Sequence, residues 1–199
     1  TIGVASIGGG QENTLNLLLA SAGIPVSQVP RQAIGSSAGN VELLKQGRVN
    51  GFFATVENSL TLVRAKEPVV VWSAGKLAPM PGGAIVMRRD YASENSEITT
   101  KFLRAMYASA VELLSADLNM ILDRVEKKYD LATEKTRAFR VEAIKAYNGL
   151  ATSQGRNNLL RNVPEVWSKA VELTNKAGIV KVGSADQLYV NTYIDAARK

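Results

Sequence analysis

The sequence predicts an α/β fold, with a mostly parallel sheet in the first part of the chain and a helix-rich C-terminal half. Three observations carry this. Short apolar runs alternate with helical patterns as far as residue 72. Several of those runs end in Gly, Ser, Thr or Asn, the residues that turn a strand into a helix. Beyond Asp90 the apolar spacing is helical almost throughout.

Ile2, Val4 and Ala5 make a short buried strand over residues 2–6. Gly8-Gly9-Gly10 lets the chain turn, and Leu15, Leu18 and Leu19 give helical spacing over 11–22. Gly23 followed by Ile24-Pro25 stops that helix. A short extended run at 32–34 ends at Gly35-Ser36-Ser37, where Ser36 or Ser37 caps a helix over 38–46 and Gly47 closes it. Residues 49–54 read as a strand, Thr55-Val56-Glu57-Asn58 as a turn, 59–65 as a short helix and 68–72 as the next strand. Leu77-Ala78-Pro79-Met80-Pro81-Gly82-Gly83 is a crossover connector, and 84–87 reads as one more strand. Helices are expected at 96–115, 119–129, 134–147, 163–176 and 185–197, with a polar loop at 152–158. Ser184 and Gln187 have capping-box spacing for the last helix.

Composition excludes several chemistries. The 199 residues, 46% of them hydrophobic, are enough for a packed core. The chain has no cysteine and no histidine. Disulfides and thiol chemistry are therefore absent, and so are the commonest general base and the commonest metal ligand. No carboxylate pair or ligand cluster has the spacing of a catalytic or metal site. The net charge is +6. Its main sources are Arg124, Lys127, Lys128, Lys135, Arg137, Arg140 and Lys145, interleaved with Glu126, Asp130, Glu134 and Glu142. Interleaved charge with few aromatics reads as a solvated helix surface rather than a nucleic-acid interface. No apolar run is long enough to span a membrane as a helix.

The chemistry-bearing positions are the strand-to-helix junctions. Gly8, Gly9, Gly10 and Gln11 form a helix start whose unpaired N–H groups and dipole favour an anion, with Ser6 beside them. Asn13 stands where a dinucleotide fingerprint needs a third glycine, and no Gly-Lys-Ser/Thr opens the helix, so neither nucleotide motif is present. Ser36, Ser37 and Ala38 give a second junction, Thr55 and Glu57 a third. In open α/β sheets the carboxyl ends of strands form the ligand crevice. Each junction is equally readable as plain capping; three together favour a site. Glu57 either faces a ligand amine or hydroxyl, or is a carboxylate favourably placed at a helix start. Glu12 reads as such a dipole-compensating carboxylate, and its charge opposes an anion in the neighbouring turn.

Four stretches carry a family resemblance: Ile2-Gly3-Val4 through Gly23-Ile24; Gly35-Ser36-Ser37-Ala38 with Leu43-Leu44-Lys45-Gln46-Gly47-Arg48-Val49-Asn50-Gly51; Gly82-Gly83-Ala84-Ile85-Val86-Met87-Arg88-Arg89-Asp90 with Phe102-Leu103-Arg104-Ala105; and Tyr189-Val190-Asn191-Thr192-Tyr193-Ile194. In order and spacing the chain resembles the nitrate/sulfonate/taurine-type solute-binding proteins of ABC importers, which share their fold with thiamine-pyrimidine synthases. The resemblance implies a bilobal, type 2 periplasmic-binding-protein-like fold. Residues 1–76 would be lobe two, 77–83 the crossover, and 84–199 the helix-rich returning part of lobe one. It implies a small, anionic organic or inorganic solute held between lobes, no chemistry on it, no cofactor, an ABC permease as membrane partner and a periplasmic or extracytoplasmic location. It also implies a chain lacking the first half of lobe one, which the full-length chain would supply. The solute contacts it suggests are the N–H groups at Gly9, Gly10 and Gln11 and around Ser37 and Ala38, with Ser6, Thr55 and Glu57 helping. Relatives often carry hydroxyl residues where this chain has Gly9 and Gly10. The pyrimidine synthases consume a histidine, which this chain lacks. An effector-sensing domain of a transcription regulator is the alternative; an enzyme on the same scaffold is the weakest reading.

Overall fold

A computed structural model describes residues 1–131 and 136–199. The expected start of a helix at Glu134, and Lys135 beside it, lie outside the described residues. The chain divides into two compact units, Thr1–Pro81 with Pro164–Ala185, and Gly82–Val163 with Asp186–Lys199.

The first unit is α/β. Strands β1 (Ile2–Val4), β2 (Arg31–Ala33) and β3 (Gly51–Phe52) form a parallel sheet in the order β2-β1-β3. Ladder bonds extend past the strand ends: Ile34 N–H donates to the Val4 carbonyl, and Phe53 N–H to that of Gly3. Between β1 and β2 runs helix α1 (Gly10–Ser21); between β2 and β3 come a 3-10 turn (Ala38–Asn40) and α2 (Val41–Lys45). Helices α3 (Val56–Arg64) and α4 (Ala74–Leu77) follow, and α9 (Pro164–Lys176) joins from later in the chain.

Helix α1 is leucine-rich on more than one side because it is sandwiched. Leu15 and Leu19 pack with Val4 of the sheet, while Leu17 packs with Leu173 of α9 and Ala78. Each fully buried leucine contributes roughly 1.5–3 kcal/mol.

Four helices end in the same motif. After α1, α2 and α9 the sixth residue's N–H returns to the first residue's carbonyl: Ile24 to Leu19, Arg48 to Leu43, Ile179 to Thr174. Gly23, Gly47 and Gly178 stand at the left-handed position with φ of 70°, 69° and 67°. Helix α3 makes the same bond, Glu67 N–H to the Leu62 carbonyl, but Lys66 occupies the left-handed position at φ 54°. A side chain there costs about 1 kcal/mol relative to glycine. Lys66→Gly is therefore expected to stabilise the protein by about that amount, read as a raised urea midpoint at unchanged slope.

The second unit is helical: α5 (Arg89–Glu94), α6 (Ser96–Ser115), α7 (Leu118–Glu126), α8 (Arg137–Ala151) and α10 (Thr192–Ala197). Arg104 of α6 donates to the Ala196 and Ala197 carbonyls, satisfying the free end of α10. Asn148 of α8 donates to the Leu113 carbonyl of α6 at 2.7 Å. Many of the basic residues are paired within the fold. Arg137 bonds Asp123 and Glu126, Arg140 bonds Glu126, Arg124 bonds Glu112, and Arg161 holds Asp195 bidentately at 2.7 and 3.0 Å.

At the head of α5 the Arg88 guanidinium, then the Tyr91 N–H, holds the Asp90 carboxyl below the usual carboxylate range. A depressed folded value contributes stability that is present above the unfolded value and lost as pH falls through the folded one. An NMR titration should find the Asp90 midpoint depressed, and Arg88→Ala should return it towards the ordinary range.

Three expectations are corrected. Residues 68–72 and 84–87 are irregular and are not strands. Pro68 lacks an N–H, no described segment forms a ladder with either run, and hydrophobicity alone does not make one. The expected helix at 185–197 is a 3-10 turn (Ala185–Gln187) followed, after an irregular stretch, by α10. Asn191 interrupts it: its side chain accepts from Asn162 N–H and donates to the Asn162 carbonyl, a bond pattern that competes with helix. Residues 55–58 are no separate turn; Thr55 is the N-cap of α3, its hydroxyl accepting Asn58 N–H at 3.2 Å.

Candidate functional site

Because all three strands are parallel, the segments that leave their carboxyl ends emerge at one edge of the sheet. Those segments contain Ser6 to Gln11, Ser36 to Ala38, and Thr55 with Glu57. β1 is central. The chain passes from β1 to β2 on one side and then to β3 on the other, so the direction of winding reverses at β1. A reversal of that kind is where open α/β sheets hold ligands.

The β1–α1 loop is built tightly. Gln11 Oε1 accepts Ala5 N–H at 2.7 Å and a Glu12 carboxylate oxygen accepts Gly8 N–H at 2.5 Å. Gly8 is left-handed at φ +77°. Gly9 N–H donates to the Ser6 carbonyl at 3.3 Å, and a Cβ on Gly9 would stand 2.4 Å from Ser6 Oγ. A side chain there would have to turn the Ser6 hydroxyl aside and would press on the Ser6 carbonyl at 3.2 Å. Gly9 caps α1 without a side-chain bond.

The consequence is a shift in which donors are open. The N–H groups of Gly8 and Gly9 are used inside the loop. Those of Gly10, Gln11 and Glu12, the first three helical positions, find no acceptor among the described residues. Gly10 is exposed, and a Cβ there would meet nothing within 4 Å. The first of these donors therefore belongs to an exposed residue with open space beside it.

Glu12 is buried at 9% exposure, and its position explains itself. Arg31, at the start of β2, brings Nε to 3.2 Å from the Glu12 carboxylate, a charge pair without hydrogen-bond alignment. Arg31 Nη2 donates to Asn16 Oδ1 and to the Val26 carbonyl, both at 3.1 Å. The carboxylate is thus turned inward and balanced, and it braces the loop instead of compensating the dipole freely. Arg31 was not legible as part of the junction, because it sits at the opposite end of its strand from the loops.

The other two junctions are capped. Ser37 Oγ accepts Gly39 N–H at 3.1 Å, and Ser36 is exposed beside it. Ala38 opens the 3-10 turn, half-buried. Helix α3 packs against that turn. The Ser37 and Thr55 hydroxyls act here as acceptors, so each keeps its proton for donation. Glu57 is half-buried in the first turn of α3.

Two hollows are lined by none of these junction residues. One of about 410 Å³ lies along α9 at Pro164, Ser168 and Glu172. One of about 430 Å³ lies between the start of α6 and α10, lined by Ser96, Thr100, Lys101 and Tyr193 among others. Neither had a sequence signal. Among the described residues no group of three or more Asp or Glu side chains could hold a metal ion, and no helix is long and apolar enough to cross a membrane. No protein-family model, curated protein or solved structure matches the chain.

Proposed function

We propose that this chain is a solute-binding component of an ABC importer, with a bilobal type 2 periplasmic-binding-protein-like architecture and an extracytoplasmic location. It holds a small anionic solute without reacting with it. The observation that carries the reading is the edge of the parallel sheet, where α1 starts with three unsatisfied N–H groups, the first of them at exposed Gly10. The neighbouring junctions supply Ser37 and Thr55 hydroxyls that can orient the solute. Glu57, in the first turn of α3, is the candidate for selecting a ligand amine or hydroxyl. The Glu12–Arg31 pair supports the reading, since it cancels the carboxylate charge nearest the donors. The absence of histidine and cysteine fits a receptor better than a catalyst.

The test is titration calorimetry of the protein against an alkyl sulfonate, nitrate and an aromatic carboxylate. Saturable binding of one class, weakened by added salt, supports the proposal. No heat with any of the three overturns it.

A further inference from the structure

Among the described residues Thr99, on α6, is the most deeply buried polar side chain, at 4% exposure. A buried hydroxyl needs an acceptor. Hydroxyls elsewhere on helices find one in their own helix. Thr14, Thr61, Ser109, Ser115 and Thr174 each donate to the carbonyl four residues back. Thr99 instead donates outward, to Met87 Sδ at 3.7 Å. A thioether sulfur is a weak acceptor. Met87 ends the irregular run 84–87 of the same unit. That bond is the one hydrogen bond the run makes among the described residues. Met87 itself is 38% exposed, so an oxidant in solution has access to its side chain.

We propose that Met87 is a reversible oxidation site, at which hydrogen peroxide turns this weak bond into a latch between the 84–87 run and α6. The sulfur lone pair attacks one oxygen of the peroxide. The O–O bond breaks, the S–O bond forms, and that oxygen's proton passes to the other oxygen, which leaves as water. Sulfur is oxidised by two electrons and the peroxide is reduced by two. The sulfoxide oxygen is a much stronger acceptor than the thioether, and the flexible methionine side chain can turn it towards the Thr99 hydroxyl. Oxidation of a methionine in an apolar core puts a polar group there and loosens the packing. Here it gives a buried donor a stronger acceptor, so the run tightens on α6. A methionine sulfoxide reductase takes the oxygen away and the latch with it.

The test treats a Met80→Leu/Met106→Leu/Met120→Leu protein with hydrogen peroxide. These swaps conserve volume and leave Met87 as the one methionine of the chain's four. Peptide mass mapping should find a single oxygen atom added at Met87. Trypsin cleaves after Arg88 and Arg89, beside the run, at a rate that follows local opening. That nicking should slow at least about threefold on oxidation, and recover after treatment with the reductase. Thr99→Ser, which keeps the hydroxyl, should retain the slowing. Thr99→Val should oxidise normally but lose it, and circular dichroism should show both variants folded. Unchanged or faster nicking of the oxidised protein overturns the proposal. So does a slowing that survives Thr99→Val, or a Met87 that resists peroxide while free methionine is consumed. No step involves a solute, so these outcomes are separate from the importer reading.

Discussion

Gly10→Asp should remove anion binding while leaving the protein at least as stable as before. The position tolerates a side chain, because a Cβ there meets nothing within 4 Å. A carboxylate at the first helical position interacts favourably with the helix dipole, by about 0.3–1 kcal/mol. The same carboxylate stands in front of the three open N–H groups and competes with any anion for them. Affinity should fall at least about tenfold, the size of a repulsion of one to two kcal/mol. The paired readout is a calorimetric titration and a urea melt. Unchanged affinity in Gly10→Asp would mean that the solute lies elsewhere. Loss of both affinity and stability would mean that the loop had been disturbed and not the site.

Glu12→Gln should move the two quantities the opposite way. Its carboxylate satisfies Gly8 N–H and faces Arg31, and the two side chains are only 11% and 21% exposed. The amide keeps an acceptor for Gly8 but leaves the Arg31 guanidinium without a counter-charge. Removing one partner of a buried pair costs roughly 3 kcal/mol or more, reduced here by the residual solvent around Arg31. The expected loss is about 2–3 kcal/mol in a urea melt. Removal of the negative charge nearest the open donors should at the same time tighten anion binding. A destabilised protein with stronger binding is an outcome that loss of fold cannot imitate.

Much of the first unit was legible because its signals are local. Gly8, Gly23 and Gly47 mark turns through left-handed backbone conformations that other residues enter at a cost. Ser37 and Thr55 mark helix starts through a side-chain oxygen that satisfies a free N–H. The expected 96–115 helix is the observed α6. Local signals misled where pairing partners decide the outcome. Residues 68–72 and 84–87 have strand composition, yet a strand exists only when a neighbouring chain accepts its hydrogen bonds. Asn191 stands at the start of α10, and its exchange with Asn162, distant in sequence, breaks a helical pattern that looked continuous.

At the candidate site the division is the same. The glycine turn, the caps and the absence of histidine and cysteine were set by the sequence alone, since each is a property of a residue and its immediate neighbours. Which N–H groups stay open was decided by tertiary structure. Arg31 arrives from the next strand to hold Glu12 inward, Glu12 takes the Gly8 donor, and the free set moves to Gly10, Gln11 and Glu12. A backbone donor can be assigned to a ligand only after every side chain able to reach it has been placed, and that reach crosses sequence distances that no local pattern records.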